Sequence, residues 1–350
     1  MANPIPKASL TPGMVPKEWL QPLFSQSIAA YLDAQPVNDP ANASQLPEVH
    51  QYHLGQALFL DTTFDAQRFR RDPAWMARND EADHIAIQMF VRGVNKVING
   101  AQEFVQQAGN ISAVNLAYEV NAISTESEVL TLIFPRELVS AELPQLVDAI
   151  GPLFADNSAS AQIFCDHMLS LRRNLSIATT AEITPITQGS IGLLDSLVRY
   201  GDIASAASQG ATLRTICGFI DRHLHDPTLG VDGICQQFRC SRATLYRLFQ
   251  PLGGVREHIQ RRRLIACFKA IVQQQHRRIF DIALDYGFVS PSHFSNLFRG
   301  YFGVTPRQAR EDASPDGLAI DLPPADGHSA RDYAELMWRW GKTLSNGSGG

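Results

Sequence analysis

The chain lacks any run of 18 apolar residues, and its N-terminal MANPIPKASLTPG has no apolar core. Neither a membrane-spanning helix nor a secretory leader is therefore expected, and the expected location is the cytoplasm. The five cysteines (Cys165, Cys217, Cys235, Cys240, Cys267) include no C-x-x-C pair. An odd set of spaced thiols reads as reduced side chains. Cys217, Cys235 and Cys267 suit apolar helix faces as small hydrophobes, the alternative being a zinc site that adds Cys240. No glycine-rich phosphate loop and no pair of catalytic carboxylates stands out. His50, His53 and His84 lack the strand spacing and the accompanying carboxylate of a metal set. Cys165 and His167, two apart in a helical pattern, face away from each other and do not make a nucleophile and base. The expectation is no catalytic residue, no metal and no cofactor.

What is present is length, apolar content and an uneven charge. With 350 residues and 45% hydrophobic content, the chain has material for two domains and tails. The net charge of −5 argues against nucleic acid only until it is divided. Residues 211–312 hold 15 Lys and Arg against 8 Asp and Glu, whereas residues 1–210 hold 12 against 22. The basic part is the one expected to meet phosphates.

Residues 1–47 contain eight prolines and little periodicity, which reads as an arm or disordered lead-in able to fold onto the next domain. From His53 to Glu137 come short β-rich runs, among them HIAIQMFVRG, SAVNLAYEV and VLTLIFP, with Asn99-Gly100 between NKVI and QEFV as a hairpin signal. Many short strands with tight turns imply an antiparallel barrel or sandwich. After Pro135 the pattern turns helical (ELPQLVDAIGPLFA, SASAQIFCDHMLSLRRNL, EITPITQGSIGLLDSLVRY), helices that pack on the barrel or pair with a second subunit. GDIASAASQGAT (201–212) reads as a linker. Arg68, Arg70 and Arg71 with Trp75 form a candidate clamp for a carboxylate-bearing effector, against the reading of a solvated charge cluster.

The richest stretch is Ala283 to Phe302, ALDYGFVSPSHFSNLFRGYF. Gly287 suits the positive φ that ends a helix, Ser290 a cap and Pro291 a first helical position. Phe294, Leu297 and Phe298 then make an apolar stripe, leaving Ser292, His293, Ser295, Asn296 and Arg299 outward. The pattern repeats 49 residues earlier. VDGICQQFRCSRATLYRLF superposes on FDIALDYGFVSPSHFSNLF without a gap, with Ser241 opposite Ser290 and the stripe Leu245, Leu248, Phe249 repeated. Its outer face carries Arg242, Ala243, Tyr246 and Arg247, with Thr244 beside the cap. Between the two units, REHIQRRRLIACFKAIVQQQ predicts one long connecting helix. Arg261, Arg262 and Arg263, consecutive on that helix, must point in three directions.

Residues 213–310 resemble the DNA-binding domain of the AraC/XylS family of bacterial transcription regulators. The segments that carry the resemblance are DPTLGVDGICQQFRCSRATLYRLF, GGVREHIQRRRLIA, IFDIALDYGFVSPSHFSNLFRGYFG and VTPRQAR, in the family's order. Two positions depart from the pattern. Arg239 stands at a turn position usually held by glycine, so a different turn conformation is expected, and Asn296 stands where arginine is common. By the family pattern Arg263 pins the two subdomains together, with Asp281 as its expected partner. More loosely, FPREL and GNISAVNLAYEV resemble the cupin-like effector-binding domain found in part of the family.

The resulting expectation is an α+β protein with five segments: an N-terminal arm (1–47), a cupin-like effector-binding and dimerisation domain with flanking helices (48–200), a linker (201–212), a tandem helix-turn-helix domain (213–312) and a tail (313–350). DNA is read by Ser241, Arg242, Ala243, Thr244, Tyr246, Arg247, Ser290, Ser292, His293, Ser295, Asn296 and Arg299. The effector, an aromatic or carboxylate-bearing small molecule, is placed near Arg68, Arg70 and Trp75. The resemblance implies promoter DNA and RNA polymerase as partners, activation of transcription, and a homodimer. The alternative is a cupin-like metal-dependent enzyme fused to a regulatory DNA-binding domain.

Overall fold

The computed structural model describes residues 3–78, 83–100, 102–147, 149–153, 158–200, 213, 216–274, 276–311, 336–337 and 339–340. The chain divides into two compact units. A β unit comprises Met1–Arg71, Glu81–Ala207 and Pro323–Gly350, and a helical unit comprises Asp72–Asp80 and Ser208–Leu322. No helix among the described residues is long and apolar enough to cross a membrane.

The β unit contains twelve strands among its described residues: β1 (Lys7–Leu10), β2 (Asp33–Pro36), β3 (Glu48–His53), β4 (Leu58–Phe64), β5 (Gln67–Arg71), β6 (Ile85–Arg92), β7 (Val94–Asn99), β8 (Gln102–Gln107), β9 (Ile111–Asn115), β10 (Val120–Ser124), β11 (Ser127–Phe134) and β12 (Gly151–Pro152). They form a seven-stranded sheet, ordered β1-β3-β4-β11-β6-β9-β12, and a five-stranded sheet, ordered β2-β5-β10-β7-β8, with every strand pairing antiparallel. Short connections after β4, β6 and β10 carry the chain from one sheet to the other. At the second of these Gly93 has φ 96°, and a Cβ there would stand 2.5 Å from the Glu126 carbonyl oxygen, so only glycine passes.

Alternation along the strands explains why β6 and β11 are apolar on both faces. On β6, Ala86, Gln88 and Phe90 line a cavity of about 90 Å³ between the sheets, as do Val129, Thr131 and Ile133 of β11. Their neighbours Ile85, Ile87, Met89, Leu130, Leu132 and Phe134 point the other way. There they meet Phe164, Met168 and Leu171 of α4 (Ala159–Asn174) and Ile191, Leu194 and Leu197 of α5 (Ile183–Tyr200). Arg172 of α4 adds ion pairs to Asp61 of β4 and Glu128 of β11.

Residues 3–47 are ordered parts of this unit, contrary to the expected partly disordered arm. β1 pairs with β3, β2 pairs with β5, and α1 (Lys17–Ile28) buries Leu20, Leu23, Phe24 and Ile28. Their spacing of three and four is an amphipathic stripe that Pro22 and the surrounding prolines obscure. Gln21 of α1 and Gln67 of β5 exchange two hydrogen bonds, at 3.2 and 2.9 Å. The expected hairpin is present, β7 to β8, with Gly100 at φ 59°, while Asn99 ends β7 and bonds across to Asn115 and Glu119. ELPQLVDAIGPLFA is less helical than its spacing suggests: α3 (Arg136–Glu142) stops before Pro144, and Gly151–Pro152 is strand. The expected linker 201–212 and residues 313–335 of the tail lie outside the described residues, but Met337 is buried in the β unit and its carbonyl accepts from Gln51 Nε2.

The helical unit contains α2 (Pro73–Arg78), α6 (216–222), α7 (Val231–Phe238), α8 (Arg242–Phe249), α9 (Val255–Gln273), α10 (Ile279–Asp285), α11 (Pro291–Phe302) and α12 (Pro306–Glu311). Val255 and Ile259 of α9 belong to a core with α6, α7 and α8, and Leu264, Ile265, Phe268 and Ile271 to a core with α10 and α11. One helix therefore serves both helix-turn-helix subdomains, as its long apolar pattern implies. Met76 of α2 is buried in the second core.

Candidate nucleic-acid interface

Both helix-turn-helix units form where the sequence repeat places them. Ser241 Oγ accepts from the Thr244 N–H at 3.1 Å to cap α8, and Ser290 Oγ accepts from the His293 N–H at 3.4 Å to cap α11, whose first residue is Pro291. Leu245, Leu248 and Phe249 are buried on α8, and Phe294, Phe298 and Phe302 on α11. The opposite faces are exposed: Ser241, Arg242, Ala243, Tyr246 and Arg247 on the first unit, with Thr244 half-buried, and Ser290, Ser292, His293, Ser295, Asn296 and Arg299 on the second. A groove of about 550 Å³ runs between the units, lined by Arg242 and Tyr246 on one side and Ser290 and His293 on the other. The start of α9 contributes Arg256 and Gln260 to it.

The exposed arginines are not equivalent. Arg242 is held by Asp232 of α7, its Nη2 and Nε lying 2.7 and 2.9 Å from one carboxylate oxygen. Arg247 makes no such bond among the described residues. The first turn keeps the left-handed conformation without a glycine, since Arg239 sits at φ 49° and ψ 39°, where a different conformation had been expected. The second turn uses Gly287 at φ 80° and leaves Val289 84% exposed beside the cap. Val289 had not been singled out from the sequence because one valine between a turn and a cap has no periodic signal.

The three consecutive arginines of α9 take three directions, each toward protein. Arg261 Nη2 donates to the Leu252 carbonyl at 3.4 Å, and Arg262 Nε pairs with Asp221 at 2.7 Å. Arg263 donates to the carbonyls of Leu224 and Asp226, at 3.2 and 2.6 Å, while its guanidinium lies against Gly287. It thus ties the loop before α7 to the turn before α11, the pinning role implied for it, through backbone carbonyls instead of Asp281. His225 reinforces the junction, its ring tilted against Tyr286 with centroids 4.3 Å apart, and its Nδ1 donates to the Asp285 carbonyl at 3.2 Å.

Residues 234–312 match the family described as "Helix-turn-helix domain". Over 103 residues the chain is 36% identical to the regulatory protein SoxS of Salmonella typhimurium, a match covering 28% of this chain and 92% of SoxS. The chain belongs to the AraC/XylS family. As a member of it, the protein is a DNA-binding transcriptional regulator. The probable transcription factor PqrA of Proteus vulgaris is 35% identical over 89 residues, 25% of this chain and 72% of PqrA. In fold, the protein is similar to the crystal structure of the AraC-like transcriptional activator CuxR, with a TM-score of 0.50 at 20% identity over 76% of this chain and 96% of that one. The likeness to CuxR concerns the fold and covers most of the chain, which here comprises an antiparallel β unit and a helical unit.

The candidates of the β unit fare differently. Arg68 and Arg70 do not reach the interior: they are exposed on β5, and Phe69 between them lines the cavity, because successive residues of a strand face opposite ways. Arg71 is fully buried, donating from Nε to the Leu116 carbonyl at 2.7 Å and from Nη1 to the Tyr31 carbonyl at 3.0 Å, and burial pulls its pKa down to about 9. Trp75 packs with the second core of the helical unit, whereas Arg68 and Arg70 belong to the β unit. His50 has its ring nitrogens engaged by Ser9, at 2.7 Å, and Glu48, at 2.9 Å. Among the described residues no group of three His, Cys, Asp or Glu side chains is placed to hold a metal ion.

Proposed function

We propose that α8 and α11 enter successive major grooves of promoter DNA, and that the β unit binds a small organic effector which sets how that DNA is occupied. The observation that supports this best is the common groove between two capped helices whose exposed faces are polar and whose buried faces form separate cores around one shared helix. Ser241, Ala243, Thr244, Tyr246 and Arg247 then belong to the first reading head, and Ser290, Ser292, His293, Ser295 and Asn296 to the second, with Arg242 and Arg299 closer to phosphates. Arg256, on the groove wall, is a further phosphate contact, and Val289 suits a thymine methyl. The reading includes a cytoplasmic protein that forms a homodimer through α4 and α5, where Ile163 is an exposed apolar side chain, and activates transcription by touching RNA polymerase. The effector domain extends to residues 3–47, and the linker stays at 201–212.

Selection of DNA fragments by the full chain, with and without candidate small molecules, tests the reading. Two informative blocks about 10 base pairs apart are expected, with affinity falling steeply as salt rises because phosphate contacts release counterions. Blocks half a helical turn out of phase, or binding indifferent to salt, would exclude it.

A further inference from the structure

The cavity of about 90 Å³ between the two sheets has an interior of a definite chemical kind. Phe24 and Ile28 of α1, Phe64, Phe69 and Phe90 dominate its wall, and no lining side chain carries a charge. Two of its polar residues are left incomplete. Among the described residues, the Oη of Tyr31, which is 4% exposed, and the Oδ1 of Asn95, which is 6% exposed, have no hydrogen-bond partner. The Asn95 amide is oriented by an amide chain, since its Nδ2 donates to Gln106 Oε1 at 2.7 Å and Gln106 Nε2 donates to Gln88 Oε1 at 3.0 Å. Burial raises the Tyr31 hydroxyl far above its ordinary pKa, so it stays protonated and remains a donor. Buried polar groups without partners are uncommon in folded proteins. Here one donor and one acceptor are left over in the same apolar chamber.

We propose that this cavity takes a small, uncharged, mostly apolar compound with one hydroxyl group, a short branched alcohol, which accepts from Tyr31 Oη and donates to Asn95 Oδ1. The proposal rests on the reading of the β unit as an effector sensor and narrows its effector. A carboxylate would leave its hydration shell for a wall without a cation, which ionised groups do not tolerate, so the carboxylate-bearing class drops out. Size narrows the class further: a cavity of roughly 150 Å³ holds benzene, and this one, of about 90 Å³, takes a smaller, non-aromatic skeleton.

The test uses the full chain at neutral pH with three probes of one branched skeleton, isobutanol, isopentane and isobutyrate, read by melting temperature and titration calorimetry. Isobutanol is expected to raise the melting temperature, isopentane to raise it less, and isobutyrate to leave it unchanged. Tyr31→Phe removes a hydroxyl that has no partner in the free protein, so the variant should melt no lower than the parent yet bind isobutanol roughly two- to tenfold more weakly. Val129→Phe, which fills the chamber, should abolish the response to isobutanol. Isobutyrate stabilising as well as isobutanol, or a preference for isobutanol over isopentane that survives Tyr31→Phe, overturns the ligand class but leaves the sensor reading intact. If no probe binds, and the Val129→Phe chain still answers the effectors found by DNA selection, the cavity is not the sensor site and this proposal falls, while the reading of the protein as effector-responsive stands.

Discussion

Arg263 lies so close to the backbone of Gly287 that a Cβ on that glycine would stand 2.9 Å from its Nη1 and 3.2 Å from its Cζ. The glycine therefore answers two demands, a φ of 80° and the passage of a guanidinium that holds the two subdomains together. Gly287→Ala should destabilise the helical unit by about 1–3 kcal/mol, from left-handed strain and displacement of Arg263. Combined with Arg263→Ala the loss should be less than additive, as for groups sharing one contact. Urea denaturation of the four proteins in the cycle measures this; strict additivity would show that the two residues do not share a contact.

Arg247 offers a cleaner test of DNA reading than Arg242, because among the described residues its side chain has no hydrogen bond or ion pair to lose, whereas Arg242 is held by Asp232. Arg247→Ala should melt like the parent, weaken binding to the selected site by about 1–3 kcal/mol and relax preference at one base pair. Arg299→Ala should weaken all sequences alike. Binding to a panel of single-base variants of the site separates the two patterns, and an unchanged preference in Arg247→Ala removes the contact.

Arg239 adopts φ 49° at a position where glycine meets no Cβ penalty. Arg239→Gly should therefore stabilise the unit by up to about 1 kcal/mol, the left-handed strain of a non-glycine residue offset partly by glycine's greater freedom when unfolded. A lower melting temperature would mean that the Arg239 side chain contributes more than its backbone costs.

His258 is buried against Phe249, neither ring nitrogen has a hydrogen-bond partner among the described residues, and desolvation, with Arg261 and Arg262 adding to it, lowers its pKa to about 3. The folded state then refuses a proton that the unfolded chain accepts at its ordinary pKa near 6.5. Stability from this residue is complete above about pH 6.5 and declines as pH falls toward 3, by up to about 1.4 kcal/mol per pH unit. His258→Phe should flatten that part of the profile in denaturation followed between pH 7 and pH 4; a parallel profile would show that other groups cause the acid loss.

Met76, 2% exposed, comes from the segment between β5 and β6 yet completes a core of the helical unit. A fragment of residues 208–322 should consequently be less stable than the same unit within the full chain, and Met76→Ala in the full chain should cost about 2–5 kcal/mol for that unit. Hydrogen exchange of the α9 and α11 amides reads the difference. Equal protection in both would show that Met76 packs without contributing.

The sequence by itself determined the helical reading units. Ser241, Ser290, Pro291, Gly287 and the stripes of α8 and α11 act over a few residues of chain, through caps, turn geometry and helical spacing, so their signals survive in one dimension. It also carried the existence of β6 and β11 as strands, because a strand buried on both faces stays apolar throughout. Tertiary structure alone decided what depends on residues distant in sequence. It placed two strands of the proline-rich residues 3–47, one in each sheet, turned Arg68 and Arg70 outward while burying Arg71, and sent Trp75 and Met76 to the helical unit. It gave Arg263 two carbonyls for partners in place of Asp281 and set Tyr31 and Asn95 around one chamber. In each of these the energy lies in burial and hydrogen bonding between separate elements, which composition and spacing do not encode until the chain has closed on itself.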